Sequence, residues 1–321
     1  MGLNPRVVEI EGYARAQSDI IYLDSSSHTM SLPGIPEAFS LYKKPLYVIP
    51  YRPDLAEGQQ KKLDKAIQDF KEDQENVENY IWLGRQLAYM GRYREGIAAF
   101  TMGLEKYPED AELYRHRAHR FLTLRLFDHA VTDSMLSIKY MKKAPDKIEY
   151  SGLPIHETLE IYSLYTNTYY HLGLTYYAQN ELEKAEKTFQ NLIDVAMNDD
   201  HIIMGAYWRH MILHRLGRKK EADDLLATIQ ADMDIVVAPN YHQVLLAHKG
   251  EMDPEDILTK GREESHLGIT ASGNGIANYY LIHGDKDKYI EILREVVSTD
   301  AWSGFGYIIA EADLKRQGIE I

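Results

Sequence analysis

Arginines, tyrosines and histidines recur on one face of several predicted helices, where they could bind a partner. The positions are Arg85, Tyr89, Arg115, His119, Tyr170, Tyr177, Tyr207, His214, Arg215 and Asn278. No position that we assign to this stripe is Asp or Glu, although the chain has a formal net charge of -13. An arginine fork suits a carboxylate or phosphate, and tyrosine adds rigid contact area with a polar tip. We therefore expect a peptide or protein partner with an anionic group. The alternative is that these arginines are solvated or pair with acids of neighbouring helices.

Two pairs of histidines have a spacing that could hold a metal ion. His210 and His214 lie four residues apart, and His116 and His119 lie three apart, so each pair shares a helix face. The segment that begins at His210, HMILH, lacks the Glu that follows the first His in HExxH zinc proteases. A pair is also only half of a metal site. We therefore predict no metal and no cofactor, with these histidines at the surface or at the edge of the core.

The sequence shows no arrangement of residues that is typical of an enzyme. The glycine-rich segment at residues 272–275 lacks the preceding strand and the following Lys of a phosphate-binding loop. We predict instead that Ser272 caps a helix and that Gly275 allows close packing. The alternative function is an enzyme or small-molecule binder. Its helical pocket would be closed by an N-terminal arm (residues 1–56) and by an insertion near residues 141–164.

The elements that must hold these side chains are helical hairpins, of which the clearest spans residues 80–108. Its first helix has apolar or small residues at helical spacing, and its second helix has a similar stripe. The first stripe consists of Tyr80, Leu83, Gly84 and Leu87, and the second of Tyr93, Ile97, Phe100 and Leu104. Gly91 interrupts the pattern between them, and Pro108 ends the second helix.

This hairpin resembles the tetratricopeptide repeat (TPR), which has a W-x2-L-G-x2-Y…A-x3-F…P pattern and a period of 34 residues. Leu83, Gly84, Phe100 and Pro108 match the pattern, whereas Tyr80, Leu87 and Gly96 stand for its Trp, Tyr and Ala. In detail the chain is similar to bacterial TPR proteins. The resemblance implies a binding or scaffold protein that recognises its partner in a concave groove. The Lys and Asn clamp of one TPR class is absent, since Ile81 and Arg85 occupy its first-repeat positions.

Further hairpins follow along the chain, so we predict an all-α fold, a right-handed TPR-type solenoid of helical hairpins with an irregular N-terminal arm. Tyr114 lies 34 residues after Tyr80, and Tyr169 begins the next repeat after the insertion near residues 141–164. Later hairpins are predicted at residues 206–229, 241–258 and 273–296, with a terminal helix at 300–315. The predicted domains are an arm or cap at residues 1–56, with short β-prone stretches, and a solenoid at residues 57–321.

Length, charge and composition bound the remaining possibilities. The chain has 321 residues and no cysteine, which excludes disulfides and thiolate chemistry. An acidic chain is a poor nucleic-acid binder as a whole, and no apolar run is long enough to span a membrane. The first residues lack the apolar core of a signal peptide, which indicates a cytoplasmic protein as written, or an exported one if a leader was removed. A self-associating scaffold is a third possibility.

Overall fold

The computed structural model of the chain describes residues 20–22, 29–31, 53–150, 160–264 and 266–320. Most of the predicted arm and residues 151–159 of the predicted insertion lie outside these ranges. Two short strands, β1 (Ile20–Tyr22) and β2 (Thr29–Ser31), form an antiparallel pair in which Ile21 lies opposite Met30.

Helices make up most of the rest of the described chain, which confirms the predicted all-α class. The chain divides into two compact units, unit 1 (residues 1–160) and unit 2 (residues 161–321). The helices of unit 1 are α1 (Pro53–Glu72), α2 (Val77–Tyr89), α3 (Tyr93–Lys106), α4 (Ala111–Thr123) and α5 (Phe127–Met141). Those of unit 2 are α6 (Leu164–Ala178), α7 (Leu182–Asp194), α8 (Asp199–Arg215), α9 (Lys219–Ala227), α10 (Pro239–His248), α11 (Pro254–Glu264), α12 (His266–Ile282), α13 (Lys286–Ser298) and α14 (Phe305–Arg316). None of the described helices is both long enough and apolar enough to cross a bilayer.

The hairpins are closed by one residue with a left-handed backbone. Gly91, with φ 74°, is followed by a hydrogen bond of 2.9 Å from Arg92 N to Leu87 O, which caps the end of α2. This six-residue closure is the usual helix ending at glycine. Arg125 has the same left-handed backbone, with φ 62°, at the end of α4, although a residue with a side chain disfavours this conformation. The predicted glycine turn is therefore correct at Gly91, while the next hairpin makes the same turn without glycine.

In unit 1 the helices pack through an apolar core around Phe100, which is 1% exposed. Gly84 of α2 lies directly against this ring, where a Cβ would stand only 2.6 Å from Cζ of Phe100. In unit 2 the same relation joins Gly173 of α6 to Phe189 of α7, at 2.7 Å from Cζ. The small and large residues of the repeat pattern therefore fit together in both units, as close packing of helices requires.

The glycine-rich segment at residues 272–275 lies inside α12, so the prediction that Ser272 caps a helix is wrong. Two of its glycines are packed tightly. A Cβ on Gly275 would stand 2.5 Å from Cγ1 of Val244 and 2.7 Å from the ring of Tyr207, which fits the close packing predicted for Gly275. Glycine weakens a helix by roughly 0.5–1 kcal/mol, but here helix packing overrides that local preference.

Candidate functional site

In unit 1 the first helices of two consecutive hairpins, α2 and α4, contact each other and bring three arginines together. We call Arg85, Arg115, Arg120 and Tyr89 the arginine cluster. Arg85 is 7% exposed, Arg115 is 8% exposed and Arg120 is 9% exposed. Tyr89 and the nearby Trp82 are half-buried, so the cluster borders on solvent along this side of α2. Guanidinium groups this deeply buried need hydrogen-bond acceptors or counter-charges.

Arg85 is held mainly by neutral groups. Its Nη2 donates to the backbone oxygen of Tyr150 at 2.5 Å and lies 3.4 Å from the hydroxyl of Tyr89. Its guanidinium stacks over the Trp82 ring, 4.2 Å from the centroid, which is a cation–π contact. The structure thus holds the side chain in place without giving it an ion-pair partner among the described residues.

Arg115 has a carboxylate partner. Its Nη2 lies 3.0 Å from Oε2 of Glu149, and its Nη1 lies 2.6 Å from Nδ1 of His116. Glu149 itself is 3% exposed, so this is a buried ion pair. Arg115 is therefore paired with an acid, although this acid lies in the predicted insertion and not in a neighbouring helix.

Arg120 has no ion-pair partner among the described carboxylates. Its guanidinium lies 5.7 Å from the centroid of the Tyr93 ring, and it contacts Nδ1 of His119. Burial lowers the pKa of Arg120 to about 10, with Arg115 and Arg85 adding to the effect and two tyrosines opposing it. Burial alone would raise the pKa of Tyr89, yet the three nearby arginines bring it below its ordinary value. The lowered pKa of Tyr89 thus reflects the positive charge of the arginines around it, whereas burial is the main cause of the shift of Arg120.

Beside the cluster, three further titratable groups face one another. Nε2 of His116 lies 3.5 Å from Oε1 of Glu112 and 3.4 Å from Oε1 of Glu149, and all three residues are buried. Lys147 Nζ lies 2.5 Å from the other oxygen of Glu112. Burial raises the pKa of Glu112 to about 7, and the charge of Glu149 contributes to this shift. Because Arg115 donates to Nδ1 of His116, the ring proton belongs on Nε2. That nitrogen then points a hydrogen, not a lone pair, at the carboxylates, which disfavours metal coordination there.

In unit 2 the predicted site residues Arg215, Tyr177 and Asn278 form a network with Asp313 of α14. Arg215 binds Asp313 through both terminal nitrogens, at 3.0 and 2.5 Å, and donates to Asn278 Oδ1 at 3.0 Å. Tyr177 donates to Asp313 at 3.3 Å, and Tyr289 does so at 3.1 Å. Asp313 is 1% exposed. Both terminal nitrogens of Arg215 are therefore occupied within unit 2, which leaves no guanidinium fork for a partner.

Tyr170 and Tyr207 are also core residues. The Tyr170 hydroxyl lies 2.9 Å from that of Tyr241 and accepts from Trp208 Nε1 at 3.3 Å. Tyr207 donates to Ala271 O at 2.9 Å, and its ring stacks on Tyr241 with centroids 4.0 Å apart. Helices α10, α12 and α14 contact the helices that carry this stripe. In unit 2, the stripe predicted to face a partner is therefore covered by later helices of the same unit.

The remaining predicted residues, His119 and His214, lie in different units. His119 is half-buried next to Arg120, and His214 is half-buried next to His210. Two members of the unit 1 site escaped the sequence reasoning. Arg120 lies five residues after Arg115, outside the i, i+3 and i, i+4 spacing of a helix face, so helical spacing did not point to it. Glu149 carried no signal, since it belongs to the irregular insertion.

Comparison with known proteins identifies the repeat. Residues 168–195 match the family model described as a tetratricopeptide repeat, TPR_6, over α6 and α7. No curated protein matches the chain. The predicted tetratricopeptide repeat is confirmed over these residues, which form the third predicted repeat, the one that starts at Tyr169.

Several solved TPR structures are similar. YrrB, described as a TPR protein with an unusual peptide-binding site, is 13% identical with a TM-score of 0.42, over 78% of this chain and 97% of its own. A thermophilic TPR protein of Thermus thermophilus is 17% identical with a TM-score of 0.39, over 74% of this chain and 100% of its own. A tetratricopeptide repeat protein from Parabacteroides merdae is 12% identical with a TM-score of 0.44, over 80% of this chain and 97% of its own.

Proposed function

We propose that this TPR protein binds a peptide segment of a protein partner through unit 1, and that the arginine cluster holds a carboxylate of that segment. The observation that carries the proposal is the charge balance of the cluster. Among the described residues the three buried guanidiniums make one ion pair, between Arg115 and Glu149, while Glu149 and Glu112 act on Arg85 without pairing with it. A second carboxylate would supply the ion-pair partner that Arg85 and Arg120 lack among the described residues.

The surroundings favour a carboxylate on a peptide over a small free anion. Trp82 and Tyr89 border the cluster as half-buried aromatic side chains, and aromatics contribute rigid apolar contact area at binding surfaces. The pair between Arg115 and Glu149 shows that a carboxylate fits a guanidinium of this cluster. Helices α2 and α4 carry the cluster, and well-packed helices hold binding groups more rigidly than loops do.

The test is a selection from a random peptide library with free C-terminal carboxylates, run beside the same peptides with amidated C-termini and a phosphorylated set. Dissociation constants of the enriched peptides are then measured with the wild-type chain, with Arg120→Gln and with Arg218→Gln. Arg218 is the matched control, because it is one-third exposed and paired with Glu221 in a turn of unit 2.

We expect acidic or free C-terminal peptides to be enriched. Loss of one charge-assisted contact costs roughly 1.5–3 kcal/mol, so Arg120→Gln should weaken binding about tenfold to a hundredfold. Added salt should weaken binding further. Far-UV circular dichroism of Arg120→Gln checks that the helices are intact. Equal affinities of the wild type and Arg120→Gln, or enrichment of phosphorylated peptides alone, would refute the carboxylate site.

A further inference from the structure

Three histidines of unit 2 come together at the ends of two helices. We call His210 and His214 of α8 and His248 of α10 the histidine cluster. The ring centroid of His210 lies 4.8 Å from that of His214 and 4.6 Å from that of His248. His210, in the middle, is 1% exposed, whereas the other two are half-buried. The cluster thus reaches from the core to the surface.

Two nitrogens of the cluster are buried without a protein partner. Nδ1 of His210 and Nε2 of His248 have no hydrogen-bond partner among the described protein atoms. Leaving a buried polar atom unpaired destabilises the fold, so such an atom is expected to have an occupant. The two atoms belong to adjacent rings on different helices, and a single bound species between the rings could satisfy both.

The protonation state suits a metal ion. Burial lowers the pKa of His210 to about 2 and that of His248 to about 3, with neighbouring histidines contributing in both cases. Burial likewise lowers the pKa of His214, although Asp223 opposes this shift. Neutral imidazole is the form that coordinates divalent transition metals.

The spacing suits a metal ion as well. A tetrahedral zinc ion with Zn–N distances of about 2.0–2.1 Å places the centroids of two ligating imidazoles about 5 Å apart. The two separations that involve His210 are close to this value. Convergence of the nitrogens on one ion requires the half-buried rings of His214 and His248 to turn about their side-chain bonds.

We propose that His210, His214 and His248 bind one divalent transition metal ion, of which zinc is the best match. The α8 pair with i, i+4 spacing supplies two ligands, and the tertiary structure adds the third from α10. Three imidazoles leave the fourth tetrahedral position for water or for an anionic group. The site is independent of the arginine cluster, which lies in unit 1.

The experiment uses the full chain after removal of bound metals with EDTA. Zn²⁺ alone is titrated by isothermal calorimetry, and Co²⁺ alone is followed by its visible absorption, which reports four-coordinate geometry. The variants are His214→Ala and His248→Ala. Two matched controls are His129→Ala, an exposed histidine of unit 1, and His116→Gln, which removes the histidine beside Glu112 and Glu149.

We expect one Zn²⁺ per chain, a visible Co²⁺ spectrum, and at least a tenfold loss of affinity in each of His214→Ala and His248→Ala. Both controls should bind like the wild type. Circular dichroism identifies a variant that has unfolded. If one of His214→Ala and His248→Ala unfolds, the Zn²⁺ affinity of the other tests the proposal. Absence of binding at about 100 µM Zn²⁺, loss of binding in His116→Gln instead, or wild-type affinity in both ligand variants would overturn the proposal.

Discussion

Replacing Gly84 and Phe100 with alanine, singly and together, tests the packing that joins α2 to α3. Phe100 is 1% exposed, so Phe100→Ala should lower the free energy of unfolding by roughly 3–5 kcal/mol through lost burial and a cavity. In Gly84→Ala the new methyl would stand 2.6 and 2.7 Å from Cζ and Cδ1 of Phe100. Such overpacking costs roughly 1–3 kcal/mol, offset in part by about 0.5–1 kcal/mol from the better helix propensity of alanine.

The double variant is the informative one. With Phe100 truncated, the methyl at position 84 no longer meets the ring and fills part of the cavity. The double variant should therefore lose less free energy of unfolding than the two single variants lose together. The difference, which is the coupling between residues in contact, should be about 1–2 kcal/mol. Gly58→Ala in α1 is the matched control, because a Cβ there meets nothing within 4 Å. That variant should be about 0.5–1 kcal/mol more stable than the wild type.

Urea unfolding followed by far-UV circular dichroism and by tryptophan fluorescence, to which Trp82 of α2 contributes from unit 1, measures these free energies. Additive effects of Gly84→Ala and Phe100→Ala would refute the reasoning, since the two groups would then not share one space. A loss of stability in Gly58→Ala would contradict the free space around a Cβ at this position of α1.

Two further predictions concern buried charges. Asp313→Asn leaves Arg215 and Arg316 without their shared counter-charge. The free energy of unfolding of unit 2 should therefore fall by roughly 3–5 kcal/mol, measured by urea unfolding followed by tryptophan fluorescence, to which Trp208 contributes. The control Asp223→Asn, at an exposed aspartate, should change it by less than about 0.5 kcal/mol. Glu112 has a pKa raised by burial from 4.5 to about 7, so the folded state holds a proton that the unfolded state releases between these values. The stability of unit 1 should therefore fall as pH rises from about 4.5 to about 7. Glu112→Gln should flatten this slope, and an unchanged slope would contradict the raised pKa.

The sequence alone was sufficient for the repeated hairpins. Helix stripes, turn glycines and the spacing of 34 residues are local properties, and each hairpin is a local unit that needs its neighbours only to bury its apolar face. The small and large residues that match the repeat pattern, Gly84 and Phe100, are therefore in contact in the structure. The segment at residues 272–275 shows the limit of local rules, because its glycines belong to a helix that other helices hold in place.

Only the tertiary structure decided which polar side chains of the inner stripe are open to a partner. Periodicity gives the direction of a side chain around its own helix, but it does not say which later helix covers that direction. Arg215 finds its counter-charge in Asp313, 98 residues later in the chain, and Tyr170 meets Tyr241 after 71 residues. His248 joins the α8 pair in the same way. By contrast, Arg120 keeps no close carboxylate among the described residues, because its neighbours across the helix face are other arginines and aromatic rings.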